Sequence, residues 1–443
     1  YVQLLKDQQP ITEIRDHLMF GAVGGMNHVG DVGHAGQSKT AAMPDTAEVC
    51  GCNGVCKGDI VHAIKTHGLF TVEDVRKHTK ASSSCGSCTG LVEQILSSTV
   101  GGAYQPVDTK EKPVCGCTDF SHGVVRQTIR EQHLLTIPDT MRSLKWRTHT
   151  GCATCRPALN YYLISTWPKE AEDDPQSRFI NERAHANIQK DGTFSVVPRM
   201  WGGLTTPDEL RRIANVAEKF AIPTIKMTGG ARIDLLGIKK DDLPLVWADL
   251  GMPSGHAYGK SIRTVKTCVG AEHCRFGTQL SMSMGVKLEK MLYGMWAPHK
   301  VKLAVSGCPR NCAEAGIKDV GVIGVASGYE LYIAGNGGIK TEVAQFFCKV
   351  KSDNEVQEYT AAFLQLYREE AYYLERTCHY DARVGIAYEK SVVVDNEASR
   401  KALYERLLFS LEDYKDPWEA VVTQPAVRSE YDKIEDDMSW RVV

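Results

Sequence analysis

The chain lacks three things, and each absence narrows what it can be. It has no excess of either charge: 52 Lys and Arg stand against 54 Asp and Glu over 443 residues, a net charge of −2 at pH 7. A nucleic-acid surface ordinarily needs a basic imbalance, so these totals argue against nucleic acid as a partner. No apolar run approaches the ~18–20 residues of a membrane span, and no secretory signal is visible, so the expectation is a protein with no membrane span and a cytoplasmic location. No G-x-G-x-x-G fingerprint follows a strand. The Gly-rich stretch 21–44 has no phosphate-loop spacing and reads as a flexible linker. The first residue is Tyr1, and residues 1–20 read as the end of a larger domain. Length sets a soft prior of about three domains.

What the chain does have is cysteine: 15, an odd number. Without a secretory signal, close Cys pairs point to metal or redox chemistry before structural disulfides. Thirteen fall into tight clusters, and the two that stand alone, Cys348 and Cys378, read as small buried hydrophobes.

Residues 45–160 hold an internal repeat. Each copy opens with C-x-C (Cys50/Cys52, Cys115/Cys117) and closes with C-x-x-C (Cys85/Cys88, Cys152/Cys155), with 32 and 34 residues between. Apolar residues at helical spacing (Ile60, Ala63, Ile64) and helix-start signals (Thr71; Pro138-Asp139) lie inside the copies. Each copy is therefore expected to be a small helical module whose two loops converge on a metal. Cys56 extends the first motif to C-x-C-x3-C, and spacing alone leaves it as an alternative ligand.

Residues 161–190 read as a polar connector. Thr206-Pro207-Asp208-Glu209 is a capping box with Pro at the first helical position, with Leu210, Ile213, Ala217 and Phe220 following on one helical face. Strands over 222–228 and 232–238, joined through Gly229-Gly230, and a helix over 241–250 complete an α+β module. Beyond 258, helical stretches alternate with β-rich runs at 302–305, 320–325 and 329–334, and the tail after about 424 is polar and reads as peripheral.

The strongest motif is TCVGAEHC (Cys268, Cys274) followed by SGCPRNC (Cys308, Cys312). Soft thiolates in two close pairs select an iron–sulfur cluster or zinc. The C-x5-C spacing lies outside the C-x2–4-C range typical of zinc pairs and favours iron–sulfur; a zinc-stabilised, non-catalytic scaffold is the alternative from another class.

The C-x5-C and S-G-C-P-x-N-C pair resembles the siroheme-containing nitrite and sulfite reductases over roughly residues 190–420. In that resemblance the four Cys hold a [4Fe-4S] cluster, with Cys312 also bridging to the siroheme iron. The two C-x-C…C-x-x-C modules ahead of it are similar to bacterioferritin-associated ferredoxin and imply [2Fe-2S] at Cys50, Cys52, Cys85 and Cys88, and at Cys115, Cys117, Cys152 and Cys155, with Cys56 a bystander. Together they resemble the large-subunit architecture of the NAD(P)H-dependent assimilatory nitrite reductases. The implied fold class is α+β: two helical [2Fe-2S] modules (45–103 and 110–168), a ferredoxin-like half (185–255) and a mixed siroheme and [4Fe-4S] half (256–423), flanked by 1–44 and a polar tail, 424–443. The implied activity is six-electron reduction of nitrite to ammonium, with sulfite reduction the nearest rival. FAD and NAD(P)H would bind an upstream module that is not in this chain, of which residues 1–20 would be the last piece.

Nitrite is an anion and siroheme carries carboxylates, so the site needs cations. The resemblance puts Arg199 (PRMWGG), Arg232 (TGGARIDLLGI), Lys300 and Lys302 (PHKVKLAVSG) in that role; alternation places both Lys on one face of a strand. Arg263, Arg275, Arg310 and Asn311 flank cluster Cys and are candidates for the siroheme carboxylates, whereas His273 and His299 read as structural. In single-chain sulfite reductases the unit occurs twice, with cations and Cys drawn from different halves. One copy here implies a homodimer, and the family also suggests a small Rieske-like subunit.

Overall fold

The computed structural model describes residues 40, 43–84, 86, 88–100, 113–257 and 259–432. The readings of residues 1–39 and 433–443, and the ligand role of Cys85, lie outside the described residues. The chain forms two compact units, 1–110 and 111–443.

In the first unit a short antiparallel pair, β1 (Glu48–Cys50) and β2 (Val55–Cys56), leads into helices α1 (Lys57–His67), α2 (Val72–Thr79) and α3 (Thr89–Val100). Thr71 caps α2 by accepting a hydrogen bond from Asp74 N at 3.1 Å, as the helix-start signal implied. Ile60, Ile64, Val75, Val92, Ile95 and Leu96 fill the core.

The second unit opens with the other copy of the repeat: α4 (His122–Glu131), α5 (Ile137–Ser143) and α6 (Cys155–Thr166). The cap of α5 is Thr136, which accepts from Asp139 N at 3.2 Å, just ahead of the Pro138-Asp139 signal. The supposed connector from 161 begins differently. Residues 161–166 finish α6, and Tyr161, Tyr162 and Leu163 are fully buried, because this turn faces a neighbouring domain rather than water.

The ferredoxin-like half follows α7 (Ile180–Ala184). Its antiparallel sheet runs β3 (Asn187–Ile188), β4 (Phe194–Val196), β6 (Arg232–Ile238), β5 (Thr224–Thr228), covered by α8 (Pro207–Lys219) and α9 (Leu243–Leu250). The capping box at Thr206 forms: Glu209 N donates to Thr206 Oγ1 at 3.2 Å and Thr206 N to Glu209 Oε2 at 3.0 Å. The buried face of α8 is Ile213, Val216 and Ala217, whereas Leu210 is 46% exposed, a correction to the expected stripe. Residues 424–431 are likewise not peripheral, since Tyr431 joins Trp418 and Val421 in this core and Val427 packs against it.

The last half is a five-stranded mixed sheet, ordered β11 (Gln345–Val350), β10 (Gly328–Ile333), β9 (Val320–Val325), β8 (Leu303–Ser306), β7 (Lys266–Thr267). β7, β8 and β9 are parallel; β9, β10 and β11 are antiparallel. β8 is buried along its whole length, as a central parallel strand with both faces covered must be. The helices of this half are α10 (Gly270–His273), α11 (Ser281–Met291), α12 (Asp353–Glu370), α13 (Thr377–Val384), α14 (Ile386–Val393) and α15 (Glu397–Leu411). Cys348 and Cys378 are buried in this half, and burial pushes their thiols up, to about 12 and about 11.

The corrected face of α8 is open to measurement: Ile213→Ala should cost about 2–5 kcal/mol in urea unfolding, and Leu210→Ala about 0.5 kcal/mol or less.

Candidate metal centres and the cation pocket

The second repeat brings Cys115, Cys117, Cys152 and Cys155 together with their sulfurs all within 4.8 Å of one another. Cys155 opens α6, and its sulfur accepts a hydrogen bond from Cys152 N at 3.1 Å; Cys117 N donates to Cys115 Sγ at 3.3 Å. Gly151 has φ +71°, and a Cβ there would stand 2.4 Å from Met141 and 3.0 Å from Cys155 Sγ, so only glycine lets the loop pass. Hydrogen bonds from the Cys115 and Cys155 thiols pull the Cys152 thiol down, while the same contacts push Cys115 up. Four thiols this close cannot all ionise without a cation among them. In the first repeat, Cys52 and Cys88 hydrogen-bond to Cys50 and bring its thiol down to about 2. Cys56 stands one pair further along the ladder, opposite Glu48, and its backbone N–H donates to Asp59 Oδ2 at 2.9 Å to start α1.

The third thiol set is built by strand pairing. β7 and β8 are parallel neighbours with Thr267 opposite Val305, so the chain leaves both at the same end. Cys268 and Cys274 come from the first exit loop, Cys308 and Cys312 from the second. The loops touch backbone to backbone, since a Cβ at Gly307 would be 2.7 Å from Gly270 Cα, and the first loop folds tightly on itself, since a Cβ at Gly277 would be 2.4 Å from Ala271 N. Gly307 N donates to Cys268 Sγ at 3.2 Å and Ser281 Oγ to Cys268 O at 2.7 Å. Ser306 and Asn311 of the S-G-C-P-x-N-C motif shape the second loop. Ser306 Oγ accepts from Ala313 N at 3.1 Å, and Asn311, at φ +55°, accepts from Gly316 N at 3.3 Å. Cys308 is buried and Cys312 exposed.

Around these thiols Val269, Phe276 and Leu280 are large apolar side chains left about half exposed. Arg275 and Arg310 lie over Phe276, at 4.6 and 4.0 Å from the ring centroid. An apolar face edged by guanidiniums beside an exposed thiol fits a large flat ring carrying carboxylates. Asn311 turns its carbonyl into its own loop, and Arg263 lies elsewhere.

Arg263 belongs to the opposite end of β8, with Lys300 and Lys302. Its backbone N–H bonds Val301 O at 3.0 Å and its Nη1 bonds His256 O at 2.8 Å. Asp319, fully buried, is the hub: it accepts from Lys302 N at 2.8 Å, from Arg376 Nη2 at 3.0 Å through both oxygens, and from Thr377 Oγ1. Burial, and then the nearby Arg376, hold the half-buried Lys302 ammonium below the usual lysine range, against the pull of Asp319; Arg263 and Lys318 add to the repulsion. His299 is buried, with Nδ1 accepting from Lys300 N at 2.8 Å.

Arg199 is 1% exposed. Its guanidinium is spent on Glu289 (2.7 Å), His256 Nδ1 (2.8 Å) and Ser254 O (3.1 Å), and Glu289 also accepts from Gly202 N and Val265 N. It thus straps the ferredoxin-like half to the larger sheet from inside, and does not present its guanidinium outward as a substrate ligand would. Arg232 opens β6, half-buried beside Gly230. The sequence reading missed His256, Glu289, Asp319, Lys318 and Arg376. His256, Glu289 and Arg376 lie outside the motifs in sequence, whereas Lys318 and Asp319 follow Cys312 by six and seven residues, and their adjacency to a buried strand could have flagged them.

Among the described residues Cys115, Cys117, Cys152 and Cys155 form the thiol set that closes to within 4.8 Å, while Cys268, Cys274, Cys308 and Cys312 share one end of the β7–β8 pair without closing that far; with the separate cation pocket they define a metal-binding protein built on thiolates. Family models agree: the BFD-like [2Fe-2S] binding domain matches residues 48–98 and 113–165, the nitrite/sulfite reductase ferredoxin-like half domain matches 187–252, and the nitrite and sulphite reductase 4Fe-4S domain matches 258–402. The chain is 54% identical over 384 residues to a nitrite reductase (NAD(P)H) of Bacillus subtilis, covering 87% of this chain and 48% of that protein. It is 35% identical over 411 residues to the nitrite reductase (NADH) large subunit of Escherichia coli, covering 90% and 48%. It is 33% identical over 215 residues to an assimilatory-type sulfite reductase of Nitratidesulfovibrio vulgaris, covering 48% of this chain and 99% of that protein. The chain belongs to the nitrite and sulfite reductase family. It spans about half the length of the first two of these relatives. Among the described residues no helix is long and apolar enough to cross a membrane.

Removing Arg199 tests its internal role. Arg199→Met leaves the Glu289 carboxylate buried without its partner and should cost about 3–5 kcal/mol near neutral pH. Burial already raises the Glu289 pKa. The folded variant therefore binds a proton that the unfolded chain releases, so the loss should shrink as pH falls from 8 toward 5. Urea melts across that range check it.

Proposed function

We propose that this chain carries the six-electron reduction of nitrite to ammonium, at a siroheme coupled to a [4Fe-4S] cluster held by Cys268, Cys274, Cys308 and Cys312, with exposed Cys312 as the shared thiolate. The observation that carries this reading is the meeting of two thiol loops at one end of the parallel β7–β8 pair, beside an apolar face edged by Arg275 and Arg310. The twin [2Fe-2S] modules and the naming of the relatives support nitrite. The iron, when bound, supplies the open coordination position and the electrons.

The chain's own groups then do the rest. Lys300 and Lys302 offer positive charge to an oxyanion, and the lowered Lys302 pKa makes its ammonium a readier proton donor. Arg263 and Arg376 keep the pocket positive around one carboxylate, Asp319. Arg232 is the further cation proposed to face substrate. Arg199 is the internal strut that positions His256, which in turn holds Arg263.

Strand direction supports a homodimer. Lys302 precedes β8 and Cys308 lies two residues past its end, and the four residues of β8 span about 13 Å at 3.3 Å per residue, so the two side chains leave opposite ends of the strand. Two chains that exchange ends would present both to one small anion. FAD and NAD(P)H bound to a separate upstream module, a small Rieske-like subunit and a cytoplasmic setting complete the proposal.

Turnover with a chemical electron donor tests it. Nitrite should be preferred over sulfite in kcat/KM by about tenfold or more, about 1.4 kcal/mol in barrier. Equal or reversed preference would place the chain with the sulfite reductases, which the match to the Nitratidesulfovibrio enzyme keeps as the second reading. Lys302→Met should lower kcat by about 10²-fold. Cys312→Ser should abolish the tetrapyrrole absorption, and a colourless, zinc-loaded wild type would refute the whole assignment.

A further inference from the structure

We infer that the second four-cysteine module delivers its electrons to the metal centre of the partner chain and not to that of its own, an inference that rests on the homodimer reading above. The argument turns on one short segment, residues 368–376. On one side it is gripped by the module. Arg126, itself buried, donates to Ala371 O at 2.7 Å and Arg368 O at 2.5 Å; Tyr161 OH donates to Arg368 O at 2.9 Å; Tyr373 N donates to Tyr162 OH at 2.9 Å. Most of these carbonyls close the last turn of α12, which needs donors and favours a cation. The module is therefore seated by specific bonds and not by a loose apolar contact.

On its other side the same segment holds the cation pocket. Leu374 N donates to Pro298 O at 3.1 Å, two residues before Lys300, and Arg376 holds the Asp319 that accepts from Lys302 N. Trp296, at the entry to this strand, packs in the module core with its ring 5.4 Å from Tyr161. Tyr161 in turn lies six residues along α6 from Cys155, about 9 Å. The module is thus fixed at the Lys300/Lys302 end of β8.

The thiol loops of its own chain leave the far end of that strand, whose four residues span about 13 Å. A dimer that brings Lys300 and Lys302 of one chain to Cys308 and Cys312 of the other carries the attached module to the same place. Each transfer then moves one electron: the reduced [2Fe-2S] of one chain is oxidised, the metal centre of the partner is reduced, and nitrite is the final acceptor.

Mixed dimers separate the two routes. In full-length, cofactor-loaded enzyme whose first module is silenced by Cys50→Ser and Cys52→Ser, one chain carries Cys152→Ser with Cys155→Ser and its partner carries Cys312→Ser. Differently tagged chains are co-expressed and the mixed dimer is isolated, reduced and mixed with nitrite, and the [2Fe-2S] paramagnetic signal is followed by freeze-quench. The only intact module and the only intact metal centre then lie on different chains. Reoxidation of the signal supports transfer between chains. A signal that stays reduced in a verified mixed dimer overturns the inference and leaves the homodimer standing. Recovery of monomers alone overturns both.

Because the double Cys substitution can unfold the module, a second arm keeps every cysteine. Arg126→Met in the otherwise unsubstituted dimer should slow [2Fe-2S] reoxidation by about tenfold or more, with both cofactor absorptions retained. An unchanged rate would mean that this seat does not set the electron path.

Discussion

The parallel pairing of β7 with β8 is the constraint on which the functional architecture depends. Parallel strands leave a sheet from the same end, so the register of Thr267 against Val305 puts two cysteine loops side by side. The same strand direction sends Lys300 and Lys302 to the other end. One geometric fact thereby gathers the soft ligands, gathers the hard cations, and keeps the two sets apart. The strand itself is buried on both faces, so a slip of its register would disrupt close packing on both sides at once.

The electrostatics of the larger half follow a common pattern, in which one buried carboxylate anchors one guanidinium together with backbone N–H groups. Asp319 does this for Arg376 and the Lys302 backbone, and Glu289 does it for Arg199 and two backbone N–H groups. Buried ion pairs of this kind add little net stability but make the loss of one partner expensive. They fix geometry. His256, neutral because burial and then Arg199 disfavour its charge, joins Arg199 to Arg263 through its ring nitrogen and its carbonyl. The ferredoxin-like half is thereby linked to the cation pocket through His256.

How much of this was legible depended on whether the information was local. The capping box at Thr206, the helix starts signalled at Thr71 and at Pro138-Asp139 and the strand at 320–325 rest on nearest neighbours in sequence, and the structure has them. The repeat spacing pointed to four converging thiols in the second module for the same reason. Leu210 was misplaced because helical periodicity tolerates a rotation of one position, and the choice between Leu210 and Val216 is made by what packs opposite. Residues 161–166 and 424–431 were misread because polar or mixed stretches become core when a distant element covers them. The partners of Arg199 were invisible from the sequence, since Glu289 lies ninety positions away and only the closed fold brings them together.

The contact between Gly270 and Gly307 has a consequence for how such a centre can evolve. Two peptide planes pressed together leave no room for a side chain, so the cage that holds the sulfurs is closed to variation from within. Adjustment of its electron affinity is left to the residues on the outer rim, Val269, Phe276 and Leu280, whose size and polarity control how much water reaches the sulfurs. A lineage that needed a different driving force would repaint that rim and leave the cage untouched.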